Sequence, residues 1–169
     1  MLVLPKEKSV PKINNPKFLI LAGRPKAGKS TLMTALENNL IIDLEDGYQA
    51  LSALVVQARS INDFAEIANA LKAEINNNDG KFPYKYITID NATRLEEMSI
   101  PYANQLYRDT PMGAQWGMLK DAKGMPVKDP KTGKFIPDPK ADVRQLPNGS
   151  GYLYLRIALR KLIDMFKPL

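Results

Sequence analysis

The sequence predicts an α/β fold, a parallel sheet with flanking helices. Three short apolar runs carry that expectation: FLILA (18–22), NLIIDL (39–44) and YITID (86–90). Each has the length and continuity of a strand buried on both faces. Helical periodicities lie between them, and strands that alternate with helices belong to parallel sheets.

The elements follow in order. FLILA ends at Gly23, and from Ser30 the pattern turns helical, with Leu32, Ala35 and Leu36 apolar until Asn38 and Asn39. NLIIDL is the second strand. A helix is expected from near Asn62, because Phe64, Ile67, Ala68, Leu71 and Ile75 recur at helical spacing. Ser60 followed by Asp63 starts it like a capping box, and the Asn-Asn-Asn-Asp-Gly run at 76–80 ends it. YITID is the third strand, followed by a helix from near Asn91 that Pro101 should kink or break.

The stretch from about 111 to 150 changes character, being rich in Pro, Gly and Lys without helical periodicity. Within it, VKDPKTGKFI reads as a hairpin, since Asp129-Pro130 initiates a turn and Gly133 supplies a positive φ. The last helix, within GYLYLRIALRKLIDMFKPL, sets Leu155, Leu159, Leu162 and Phe166 on one face. The organisation expected is a leader (1–17), then one domain (18–169) with an insertion at about 111–150. A chain of 169 residues is long enough for one domain with a real core.

Composition narrows the chemistry. The chain has neither Cys nor His. That excludes disulfides, thiol nucleophiles, histidine-based triads and the usual zinc sites. Carboxylates, hydroxyls, lysines and a hard cation such as Mg²⁺ remain. No apolar run approaches the ~20 residues that span a bilayer, and MLVLPKEKSV is not a signal peptide, so a cytoplasmic protein without a membrane partner is expected. The net charge of +6 is uneven. Lys6, Lys8, Lys12 and Lys17 face Glu7 alone in the leader, and residues 118–150 hold seven basic residues against four acidic ones. Such runs are solvated surface or a polyanion site.

GRPKAGKS (23–30) fits G-x-x-x-x-G-K-[ST], the Walker A phosphate-binding loop, between an expected strand and an expected helix. Gly23 and Gly28 let the backbone curl so that N–H groups face phosphate oxygens. Lys29 would neutralise the β and γ phosphates, and Ser30 would offer its hydroxyl to Mg²⁺. Pro25 stiffens the loop, and Lys26 either touches the γ-phosphate or faces solvent. Asp90 closes its apolar strand, as an aspartate holding Mg²⁺ through water should. The other reading is that Asp90 or Asn91 caps the next helix. The residue after Asp90 is Asn rather than Glu, so the water-directing acid is sought elsewhere. IIDLEDG (41–47) offers Asp43, Glu45 and Asp46 at a strand's carboxyl end, where ligands gather in parallel sheets. Glu45 is the best placed; a plain acidic loop is the alternative.

GRPKAGKST, IIDLED and ITIDNATRLE in succession resemble the RecA-like ATPases. The G-x-P-K-x-G-K-S/T form of the loop looks most like the phage-encoded RecA-like proteins that assist annealing and recombination. The match covers roughly residues 16 to 117. It implies ATP bound by Gly23, Arg24, Pro25, Lys26, Ala27, Gly28, Lys29, Ser30 and Thr31. It also implies Mg²⁺ served by Ser30 and Asp90, with Glu45 and Lys29 catalytic. Single-stranded DNA, a homo-oligomer and the cytoplasm of a phage's host are further implications. In the insertion, Lys128, Lys131 and Lys134 would contact DNA phosphates, with Phe135 available for stacking. RecA-like sheets place one more strand between the loop strand and the Asp90 strand. None is found in this sequence, which implies either a C-terminally incomplete domain or a sheet that closes abnormally.

Two other functions fit less of the sequence. A P-loop small-molecule or nucleotide kinase needs lid arginines, and residues 118–150 hold only Arg144. A non-catalytic nucleotide-binding module would need no Glu45. A GTPase lacks support, because neither Asn-Lys-x-Asp nor Thr-Lys-x-Asp occurs.

Overall fold

The computed structural model describes residues 18–166. The basic leader therefore lies outside the described residues. Strands β1 (Asn39–Asp43), β2 (Leu54–Gln57) and β3 (Tyr86–Asp90) form a three-stranded parallel sheet in the order β2-β1-β3. Helices α1 (Lys29–Thr34), α2 (Ile61–Asn77), α3 (Ala92–Arg108) and α4 (Gly151–Asp164) flank it. This is a small α/β fold.

β1 is central and buried along its whole length, as its run of Leu and Ile requires. The registers pair Asp43 with Gln57 on one side and with Asp90 on the other. Two acidic side chains thus end adjacent strands at the same level. One core joins the sheet to the helices through Ile42, Leu44, Ala58, Phe64, Leu95, Met98 and Leu162. Phe64 is fully buried and meets Phe166 edge to face, with centroids 4.8 Å apart. Burying a side chain of that size contributes about 1.5–3 kcal/mol.

α2 begins as expected. The Ser60 hydroxyl accepts from the Asp63 N–H, and the Asp63 carboxylate accepts from the Ser60 N–H in return. The hairpin is also present: Lys128 and Phe135 pair antiparallel, and Gly133 has φ +67. It belongs to a small antiparallel arm, since Val127 N–H donates to Leu119 O and Leu119 N–H to Ile136 O. A second core fixes the arm's base. Val143 and Leu146 pack with Ala103, Leu155 and Ala158. Buried Asn104 donates to Ala141 O at 2.6 Å and accepts from Val143 N–H at 2.9 Å. Gly151 starts α4 so close to this turn that an added Cβ would lie 1.6 Å from Val143 O.

Three expectations need correction, and one strand was not expected. FLILA is not a paired strand: residues 18–22 pair with nothing, and Leu19 and Ile20 are 80% and 78% exposed. Apolar character only permits burial; a strand also needs a neighbour, and among the described residues β3 has one on its β1 side alone. The helix after the loop ends at Thr34 rather than Asn38, because the Asn39 amide takes the Met33 carbonyl at 2.8 Å and Asn38 turns to φ +55. α3 runs through Pro101, which lies on its exposed side, where solvent can satisfy the carbonyl that proline leaves without a donor. β2, over Leu54–Gln57, is a strand that the three apolar runs named above do not include.

Candidate functional site

The 23–31 loop curls as its glycines allow. Gly28 has φ +83 and Lys26 φ +63, both left-handed. Ala27 N–H donates to Arg24 O at 3.2 Å, which closes the turn. The Lys29 ammonium folds back and donates to Gly23 O and Arg24 O, each at 2.9 Å. The cation therefore sits against the hollow of the loop rather than in open solvent. α1 has only six residues, so its dipole is small and the lysine and loop N–H groups supply most of the positive field.

The loop and the end of β3 meet. Ser30 Oγ donates to Asp90 Oδ2 at 3.1 Å across 60 residues of sequence. These two oxygen donors fit Mg²⁺, which uses one or two protein oxygens and fills its octahedron with phosphate and water. Among the described residues no group of three or more His, Cys, Asp or Glu side chains is placed to hold a metal ion.

Glu45 lies just beyond β1, exposed, with its Oε2 accepting from Asn91 Nδ2 at 2.6 Å. Asn91 also caps α3, since its Oδ1 accepts from Arg94 N–H at 2.8 Å. The capping expected of Asp90 or Asn91 is thus made by Asn91. Asp43 is buried and accepts from the Glu45 N–H at 3.0 Å, so it shapes the turn rather than facing a ligand. Asp46 is tied to Gln57 and to Arg59, the latter at 3.1 Å. An open cleft of about 490 Å³ lies here, lined by Leu44, Glu45, Asp46, Arg59, Arg94 and Glu97.

Sequence reasoning missed Tyr48. Its ring is buried and its hydroxyl donates to Asp90 Oδ2 at 2.5 Å. Burial first, and then the bond to the Asp90 carboxylate, push its pKa well above that of a free tyrosine. It is therefore a donor throughout the physiological range. Only the bend of the 44–51 turn brings it there, and no residue pattern announces that bend.

The arm stands apart from this centre. Lys120, Lys123, Lys128, Lys131, Lys134 and Lys140 are all exposed, and none forms an ion pair among the described residues. The neighbouring acids are occupied with backbone: Asp121 accepts from Lys123 and Met125 N–H, Asp129 from Lys131 N–H and Asp138 from Lys140 N–H. Lys128 lies over the Phe135 ring, 4.9 Å from its centroid. Arg144 is held by Asp142 at 2.7 Å.

A family model described as an AAA domain matches residues 15–122, well over half of the chain. No curated protein and no solved structure matches it. Among the described residues no helix is long and apolar enough to cross a membrane.

Proposed function

The chain belongs to the AAA domain family, whose members are nucleotide-binding proteins of ATPase type, and from that premise we propose that it binds and hydrolyses Mg²⁺·ATP at the 23–31 loop. The observation that carries this reading is the Ser30–Asp90 hydrogen bond, which brings the Walker A loop and the strand-end aspartate to one point.

The loop from Gly23 to Thr31 wraps the β and γ phosphates with its N–H groups, and Lys29 leaves its carbonyl partners to neutralise them. Ser30 and Asp90 would hold the cation. Bound there, Mg²⁺ would offset charge on the β and γ oxygens during transfer. Glu45 orients a water and accepts its proton, while Asn91 keeps the carboxylate from turning to solvent. Support for its role comes from its place two residues past β1, whose last residue Asp43 pairs with Asp90, and from the bond it accepts from Asn91.

The finer reading follows the RecA-like resemblance. The arm is proposed to contact single-stranded DNA through Lys128, Lys131 and Lys134, in recombination or replication, with the active form a homo-oligomer. Support for the DNA contact comes from six exposed lysines whose acidic neighbours are engaged by backbone, and from Phe135 beside them.

The test is phosphate release with Mg²⁺ and ATP, at low salt, with and without single-stranded DNA. Lys29→Ala should weaken ATP binding itself. Replacing Lys128, Lys131 and Lys134 by Ala should flatten the salt dependence of DNA binding by about two units of slope, if each neutralises one phosphate of a single strand. Transfer of phosphate to a nucleoside or nucleotide in place of water would make it a kinase. Nucleotide binding with no turnover would leave a non-catalytic module.

A further inference from the structure

Tyr48 is buried while Glu45, Asp46, Gly47, Gln49 and Ala50 around it are exposed. Its hydroxyl and the Ser30 hydroxyl both donate to the same atom, Asp90 Oδ2, at 2.5 and 3.1 Å. That oxygen therefore joins the start of α1, the turn after β1 and the end of β3. With two donors on Oδ2, that oxygen is held in place, and neither bond uses Oδ1. A ring serving only to fill space would need no hydroxyl. The bond to an ionised carboxylate is the stronger, charge-assisted kind.

We propose that Tyr48 is a positioning residue for the cation site, holding the Asp90 carboxylate in the orientation that Mg²⁺ needs. Because Tyr48 lies three residues after Glu45, the same bond ties the turn carrying Glu45 to the cation's aspartate. Changes at one reach the other through a single hydroxyl. The inference rests on the reading that Ser30 and Asp90 serve Mg²⁺.

Tyr48→Phe tests it, since the ring stays and only the hydroxyl goes. The probe is Mn²⁺ binding to the ADP complex of the full chain, followed by the electron paramagnetic resonance signal of free Mn²⁺. ADP affinity in EDTA is measured beside it. Outer-shell partners of metal ligands typically contribute 10–100-fold in affinity. The expected result is Mn²⁺ binding weakened about tenfold or more, with ADP affinity in EDTA unchanged. A lowered melting temperature with an unmoved Mn²⁺ affinity would reduce Tyr48 to a core residue and overturn the proposal. Asp90→Asn separates the two levels: if it binds Mn²⁺ as tightly as the native chain, the metal reading itself falls and the proposal falls with it. Should the Phe variant not fold, 3-fluorotyrosine at position 48 serves in its place. Its fluorine resonance should move when Mg²⁺ is added to the ADP complex, and a stationary resonance refutes the coupling.

Discussion

Replacing Glu45 by Gln removes a charge and almost nothing else. The side chain is exposed, and its hydrogen bond is the one from Asn91 Nδ2. A glutamine oxygen can accept that bond in the same place. The expected change in stability is therefore within about 0.5 kcal/mol, as for surface positions without special features. Catalysis should respond quite differently. A positioned general base contributes about 10²–10⁴-fold, which is ~3–5 kcal/mol of barrier. The two magnitudes differ by nearly an order, so a single variant separates a structural from a chemical role. Thermal melting, binding of a fluorescent ATP analogue and phosphate release would be measured on the same preparation. The expected outcome is an unchanged melt, retained binding and turnover reduced at least a hundredfold. Turnover within about tenfold of the native rate would remove Glu45 from the mechanism. The base would then have to come from elsewhere around the cleft.

Two further outcomes concern the frame around the site. Gly151→Ala forces a methyl to within 1.6 Å of Val143 O, where backbone must move, so a loss of about 1–3 kcal/mol is expected. That corresponds to a melting temperature lower by roughly 2–12 °C in a chain this size. Gly47→Ala, which meets nothing within 4 Å, is the control, and equal melts for the two variants would refute the steric reading. Asp142 is held below the usual carboxylate range chiefly by its hydrogen bonds to the Arg144 side chain. A depressed folded-state pKa means stability that is complete above the unfolded value of about 4 and lost as pH falls through the folded one. The stability gap between the native chain and Asp142→Asn should accordingly be constant near neutrality and close below pH ~4, as read by denaturant melts; a gap independent of pH would contradict it.

The local features of this chain were legible, and the long-range ones were not. GRPKAGKS, the Ser60–Asp63 cap and the Asp129–Gly133 turn are each written within a few residues, and all three take the expected backbone form. Asp90 was recognisable because a strand-ending acid after an apolar run is itself a local pattern. Tyr48 was not, since its importance comes from meeting a carboxylate 42 positions away. Asn91 is expected as a candidate cap, and it caps α3 with its amide oxygen while its amide nitrogen donates to Glu45, a contact that no local pattern announces. FLILA misled for a related reason: composition reports a tendency to be buried, whereas pairing depends on what lies alongside. Pro101 misled because its cost depends on which side of the helix the freed carbonyl faces.

α3 connects two places described separately above. Its cap, Asn91, holds Glu45, and Asn104 on the same helix clamps the base of the basic arm. Thirteen residues of helix separate them, about 20 Å at 1.5 Å per residue. Between those two ends the helix is seated in both cores, by Leu95 and Met98 in the one and Ala103 in the other, so one rigid element sets the distance between the acid and the arm.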